Sequence, residues 1–96
     1  MVRFAVQRRA AEAGEHLQTW RRMMGMRAED VATRAGISRS TLRKVEKGDP
    51  SVSFGAVLAV ADAVGQLEHV VEAFDPMGTE LGRLRAQSAL PRRVRR

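Results

Sequence analysis

The chain has no cysteine. That removes disulfides, thiolate metal sites and cysteine nucleophiles together, and it suits a reducing cytoplasm. Aromatic residues are scarce at 4%, with no tyrosine, one tryptophan and three phenylalanines. The core is therefore expected to be aliphatic, with Trp20, Phe4, Phe54 and Phe74 as its largest pieces. No apolar run approaches the ~18 residues that span a bilayer, and the first residues lack the long apolar stretch of a signal peptide, so no membrane partner is expected. Acid is missing from the last stretch: residues 81–96 hold Arg83, Arg85, Arg92, Arg93, Arg95 and Arg96 and no Asp or Glu. Residues 1–80 balance eleven basic against eleven acidic side chains, so the whole net charge of +6 sits in that stretch. Such an arm attracts polyanions without regard to their sequence, and salt screens the attraction. The same composition also serves as a plain solubilising tail.

Ninety-six residues, 44% of them apolar, suffice for one small domain with a modest core. The apolar spacing is helical nearly throughout. Ala13, Leu17, Trp20 and Met24 mark one face of a first helix, which is expected to start between Arg8 and Glu12 and to stop at Gly25. Residues 1–11 are set apart as an N-terminal arm. Phe4 and Val6 alternate with polar groups there, which fits a short strand, an arm or a helix extension. A second helix fits Ala28–Ala35, with Glu29 and Asp30 in the first turn, where negative charge complements the helix dipole, and Gly36 at its end. A third begins at the cap Ser38 and ends by Gly48. A fourth runs from Ser53 to Val64, and a fifth covers Leu67–Phe74. Residues 75–96 are expected to form a loosely ordered basic tail.

The densest information lies in Gly36-Ile37-Ser38-Arg39-Ser40-Thr41-Leu42-Arg43-Lys44-Val45-Glu46-Lys47-Gly48. It reads as a tight turn, a cap, a short helix with Leu42 and Val45 pointing inward, and a glycine stop. Together with Ala28–Ala35 it makes a helix-turn-helix, in which the small Ala32 lets the two helices approach. Nothing comparable points to catalysis. His16 and His69 are the only histidines; they lie on different helices with no further ligand at metal spacing. Glu68 and Glu72, four apart on one helix, only repel each other mildly. No catalytic residue, metal or cofactor is expected, and the methionines at 23, 24 and 26 are read as gap fillers.

With further short helices around that motif, the chain resembles the Xre family of repressors, which includes phage repressors and Cro proteins. The resemblance covers Gly14 to Phe74. It rests on Arg21, Gly25, Val31-Ala32, Ala35-Gly36-Ile37-Ser38, Leu42, Glu46, Gly48, Ser53, Leu58, Ala61 and Val64-Gly65. It implies an all-α, five-helix lambda-repressor-like domain over residues 12–74 that binds double-stranded DNA. Mapped onto this chain, Arg39, Ser40, Arg43 and Lys44 would touch base edges, with Ser38 and Thr41 near the backbone. Arginine suits the task because it can donate two hydrogen bonds to guanine O6 and N7. The resemblance also pairs Arg21 with Glu46 inside the fold. The chain departs from the family at the start of the second helix, where Arg27 and Ala28 replace the usual Thr or Ser cap and the Gln that contacts DNA; Arg27 is expected to reach a phosphate instead.

Proteins of this size and kind dimerise to place two third helices on successive turns of one DNA face. Leu67, Val70, Val71 and Phe74 form the candidate homodimer surface, unless they simply complete the core. A narrower resemblance, carried by Asp75-Pro76-Met77-Gly78-Thr79 and Leu90-Pro91-Arg92-Arg93-Val94-Arg95-Arg96, is to antitoxins paired with Hip-type kinase toxins. The expected function is thus a cytoplasmic, homodimeric DNA-binding repressor, in one version the antitoxin of a pair. A module of the same fold whose main partner is another protein, such as a kinase-like toxin, is the competing reading, and an arginine-rich RNA-binding protein is the third.

Overall fold

The computed structural model describes residues 2–89. Among these the chain is all helical: α1 (Phe4–Met23), α2 (Ala28–Ala35), α3 (Arg39–Glu46), α4 (Phe54–Ala63), α5 (Leu67–Phe74), a single 3-10 turn (Pro76–Gly78) and α6 (Glu80–Ala89). The interior helices stop and start where their capping chemistry dictates. Gly36, at φ 70°, takes the left-handed position after α2, and the N–H of Ile37 returns to the Ala32 carbonyl at 3.0 Å. Ser38 Oγ accepts the Thr41 N–H at 3.0 Å, and Ser53 Oγ accepts that of Ala56 at 3.0 Å, so α3 and α4 are both capped by serine. Between them, the Asp49 carboxylate accepts the Ser51 N–H at 2.8 Å, and that bond holds its carboxyl below the usual range.

Three expectations need correction. Residues 4–11 are not a separate arm but the first two turns of α1. They contain Ala, Gln and Arg with no Pro or Gly, all compatible with a helix, and Arg9 pairs with Glu12 across one turn at 2.7 Å. The alternation of Phe4 and Val6 has no neighbouring strand to make it count. The second correction concerns the tail, whose residues 80–89 form α6. Thr79 starts it: its hydroxyl oxygen accepts the Gly82 N–H at 2.9 Å, which supplies the cap that an Arg-rich composition concealed. Arg92, Arg93, Arg95 and Arg96 lie outside the described residues. Third, the aromatics do not fill the core. Trp20 is 38% exposed, and Phe4, Phe54 and Phe74 are 74%, 63% and 74% exposed.

The core is instead built from Val31, Ala32, Leu42, Val45, Val60, Ala61 and Val64, all buried. It lies where α2, α3 and α4 pack against one another, with α1 against α3 and α5 against α4. Ala32 and Ala61 keep these short helices close, and the narrow space between them suits valine and leucine rather than rings.

The approach of α1 to α3 is closer still. A β-carbon at Gly14 would sit 2.5 Å from the Val45 carbonyl oxygen, 2.6 Å from that of Glu46 and 2.7 Å from the Gly48 nitrogen. One at Gly48 would strike the Ala10 backbone. These obstacles are backbone, so no side chain can swing aside. Gly14 therefore sits mid-helix for packing. Gly14→Ala is expected to destabilise by about 1–3 kcal/mol, lowering the melting temperature by at least about 4 °C. Gly55 has only Ser53 Oγ nearby, at 3.9 Å, so Gly55→Ala should stabilise by about 0.4–1 kcal/mol. Thermal unfolding followed by circular dichroism separates the two, and a Gly14→Ala protein as stable as the parent would contradict the close approach.

Candidate nucleic-acid interface

Helix α3 is two-faced because of its own sequence. Leu42 and Val45 are buried, while Arg39, Ser40, Arg43 and Lys44 are exposed on the opposite side. Thr41 is half-buried at the border between the two. The hydroxyl of Ser38 is occupied in the cap and donates to Thr41 Oγ1 at 3.0 Å, so of these two only Thr41 retains a proton to offer. Arg39, Arg43 and Lys47 line an open groove of about 450 Å³ together with Gln18 and the edge of the Arg21–Glu46 pair. Lys47 and Gln18 were not among the residues expected here. Lys47 follows Arg43 by four positions, so helical spacing alone places it on the same face; Gln18 comes from α1, and no local pattern announces it.

Arg21 and Glu46 meet as a two-pronged pair. Nε of Arg21 donates to Oε2 at 2.7 Å and Nη2 to Oε1 at 3.1 Å. Their side chains are only 12% and 7% exposed. Gln18 Nε2 donates to the same carboxylate at 3.3 Å, and Arg21 Nη1 donates to the Met26 carbonyl at 3.2 Å. The hydrogen bond to Glu46 holds the Arg21 pKa above its ordinary value, against burial, which lowers it. The pair ties α1 and the loop before α2 to the last turn of α3, and the burial of both charges keeps them out of any contact with a ligand.

At the start of α2, the Arg27 guanidinium has no acceptor to offer the helix. The Asp30 carboxylate closes the other half of the cap by accepting the Arg27 N–H at 3.2 Å. Glu29 stands between two basic side chains. It pairs with Arg27 at 3.2 Å and with Arg39 at 3.5 Å, which brings Arg27 beside the third helix as a candidate contact and gives Arg39 an acidic neighbour. On α5, Leu67 and Val70 are half-buried while Val71 and Phe74 are open, so the four proposed dimer residues divide between core and surface. His16 and His69 both line an apolar groove between α1, α4 and α5. Among the described residues no group of three His, Asp or Glu could hold a metal ion, and no helix is long and apolar enough to cross a membrane.

Residues 12–74 match the family model described as a helix-turn-helix domain. The chain belongs to this helix-turn-helix family. No curated protein and no solved structure matches it. The match ends at the last residue of α5, leaving α6 as an addition to the helix-turn-helix domain. A helix-turn-helix domain of this family supports DNA binding, and α3, its second motif helix, carries the exposed basic face.

Two consequences are measurable. Arg21→Ala would leave the Glu46 carboxylate buried without its partner and should destabilise the helix-turn-helix domain by ~3–5 kcal/mol; an unchanged urea midpoint would show that the pair is idle. Glu29→Gln would release Arg39 and leave Arg27 with Asp30 alone, at 3.6 Å. Exposed pairs of this kind contribute up to ~1 kcal/mol, so affinity for scrambled duplex should rise about two- to fivefold while the preference for a specific site falls. Fluorescence anisotropy on two duplexes checks this, and a gain confined to the specific site would contradict it.

Proposed function

We propose that the chain is a sequence-specific transcriptional regulator, a homodimeric Xre-type repressor that acts in the cytoplasm by covering a promoter. One observation carries the reading: α3 turns every apolar side chain and its only acid, Glu46, inward and leaves Arg39, Ser40, Arg43 and Lys44 outward. A helix so divided offers an incoming duplex donors and cations without a competing acid of its own. Arg39 and Arg43, four apart on that face, supply the forked donors that match guanine O6 and N7. Ser40 and Lys44 reach base edges beside them, while Lys47, Thr41 and Arg27 provide phosphate contacts, which set orientation and register rather than sequence preference. The reading contains no catalytic step and no cofactor.

A single domain of this size touches one half-site. Two copies would place their third helices ~34–36 Å apart on one side of the duplex, and the open residues Val71 and Phe74 on α5 supply the apolar surface for such a pairing. Arginines of the C-terminal region add attraction without sequence preference. The narrower antitoxin reading, with a kinase-like toxin as partner, keeps only its sequence support: Asp75–Thr79 forms the corner between α5 and α6, and residues 90–96 lie outside the described residues. The RNA-binding reading rests on the arginine-rich tail, whose residues 90–96 lie outside the described residues.

Arg43→Ala should weaken binding to the DNA upstream of the chain's own gene by ~1–3 kcal/mol and relax preference at one base position. The measurement is anisotropy at physiological salt on that duplex and on its single-base variants. An equal loss on all sequences would reduce Arg43 to a phosphate contact, and no preference of the parent protein over scrambled DNA would overturn the repressor reading itself.

A further inference from the structure

Away from α3, one surface of the described residues is apolar. The groove between α1, α4 and α5 has a volume of about 440 Å³, nine of its twelve lining residues are apolar, and none comes from α3. Its principal walls are Leu17, Trp20, Phe54, Val57, Val70 and Phe74. A second open cleft shares Phe54, Val70 and Phe74 and continues the surface past Val71. A contiguous apolar face of this extent on a small domain marks a contact site.

The same chain carries an apolar stripe with nothing to cover. Leu81 and Leu84, three apart, lie on one side of α6. Leu81 and Leu84 are 63% and 59% exposed, and α6 has no buried residue. Ten residues make a marginal helix unless one face is packed.

Helix α6 is held away from its own groove. At the corner, Asp75 Oδ1 accepts the Met77 N–H at 2.9 Å, Thr79 Oγ1 donates to the Pro76 carbonyl at 3.1 Å, and Arg83 Nη1 donates to the Met77 carbonyl at 2.9 Å. Gly82 lies so near Pro76 that a β-carbon there would collide with its carbonyl. Helix α6 packs chiefly on the 3-10 turn. The radius of gyration is 16.6 Å, against about 12 Å for a compact chain of this length. Bringing the stripe back to the groove of the same chain would require breaking the corner.

We propose that the groove is filled by α6 of a second copy, and that the two copies exchange these helices reciprocally. Leu81 and Leu84 of each copy enter between Trp20, Val70 and Phe74 of the other. A twofold axis makes the two contacts identical, and exchange of one element is a low-cost route to a dimer. The proposal rests on the homodimer reading above and specifies its surface; α3 takes no part in it, so both basic faces stay open to DNA.

The test uses the full chain and two variants, Leu84→Lys and Phe74→Glu, both at exposed positions where folding, checked by circular dichroism, should be retained. Sedimentation should show a dimer for the parent and a dissociation constant raised at least about a hundredfold for each variant alone. An equimolar mixture should dimerise again. In it, one contact is the native α6 in the native groove, and the other sets the introduced lysine against the introduced glutamate. Trp20, the only tryptophan, should emit further to the red as the parent is diluted to monomer. A Leu84→Lys protein that dimerises like the parent would overturn the exchange in favour of α5 packing on α5, and a mixture that stays monomeric would also overturn it. A parent that is monomeric at about 100 µM, a concentration where even a dimer of only ~6 kcal/mol would be well populated, would remove the homodimer reading as well, while sequence-specific binding by α3 would still be judged separately on DNA.

Discussion

Between Gly14 on α1 and the stretch Val45–Gly48 at the end of α3, backbone meets backbone with no side chain between. Much of the domain's geometry depends on that contact. It brings α1 near enough for Arg21 and Gln18 to reach Glu46, and it anchors α3 by its C-terminal end. Leu42 and Val45 anchor the same helix from below, in the core with Val31, Val60 and Val64. With one end and one face held, the remaining face of α3 is presented in a fixed orientation. The buried ion pair adds little net stability over an apolar pair of the same shape, but breaking it would be expensive. Its value lies in fixing where α1 crosses.

Charge is then sorted by depth. Glu46 is neutralised inside, Glu29 sits outside between Arg27 and Arg39, and Arg43 and Lys44 stand exposed. Under the proposed function, an incoming phosphate would replace Glu29 as the partner of either arginine, and DNA binding would become a difference between two ionic arrangements. The helix that follows the matched family span adds a further division of labour under the two proposals above: the α3 face meets DNA, and the apolar face of α1, α4 and α5 meets another copy.

The middle of the fold was legible because its signals are local. Ser38 and Ser53 cap, Gly36 turns, and Leu42 and Val45 sit three apart; each is a short-range rule that packing did not override. The outward residues of α3 were legible for the same reason, since a helix with two inward positions leaves only one other face. What escaped were features set by distant partners. Trp20 lies on the expected face of α1, but the neighbouring helices leave a groove there rather than a core. The start of α1 was obscured by Gly14, which reads as a helix weakness until its contact with α3 is seen. Helix α6 was hidden by arginines whose long stems are compatible with a helix, and Gln18 joined the site only through tertiary packing.

The central claim is that α3 reads base edges in the major groove of a specific duplex. Dimethyl sulfate protection of the DNA upstream of the gene tests it most directly, because the reagent attacks guanine N7, the atom that Arg39 and Arg43 are assigned to cover. The account predicts protection of guanines in two clusters about ten base pairs apart on one face, with the protein in excess and at physiological salt. Guanines equally reactive with and without protein, under conditions where the duplex is bound, would contradict it.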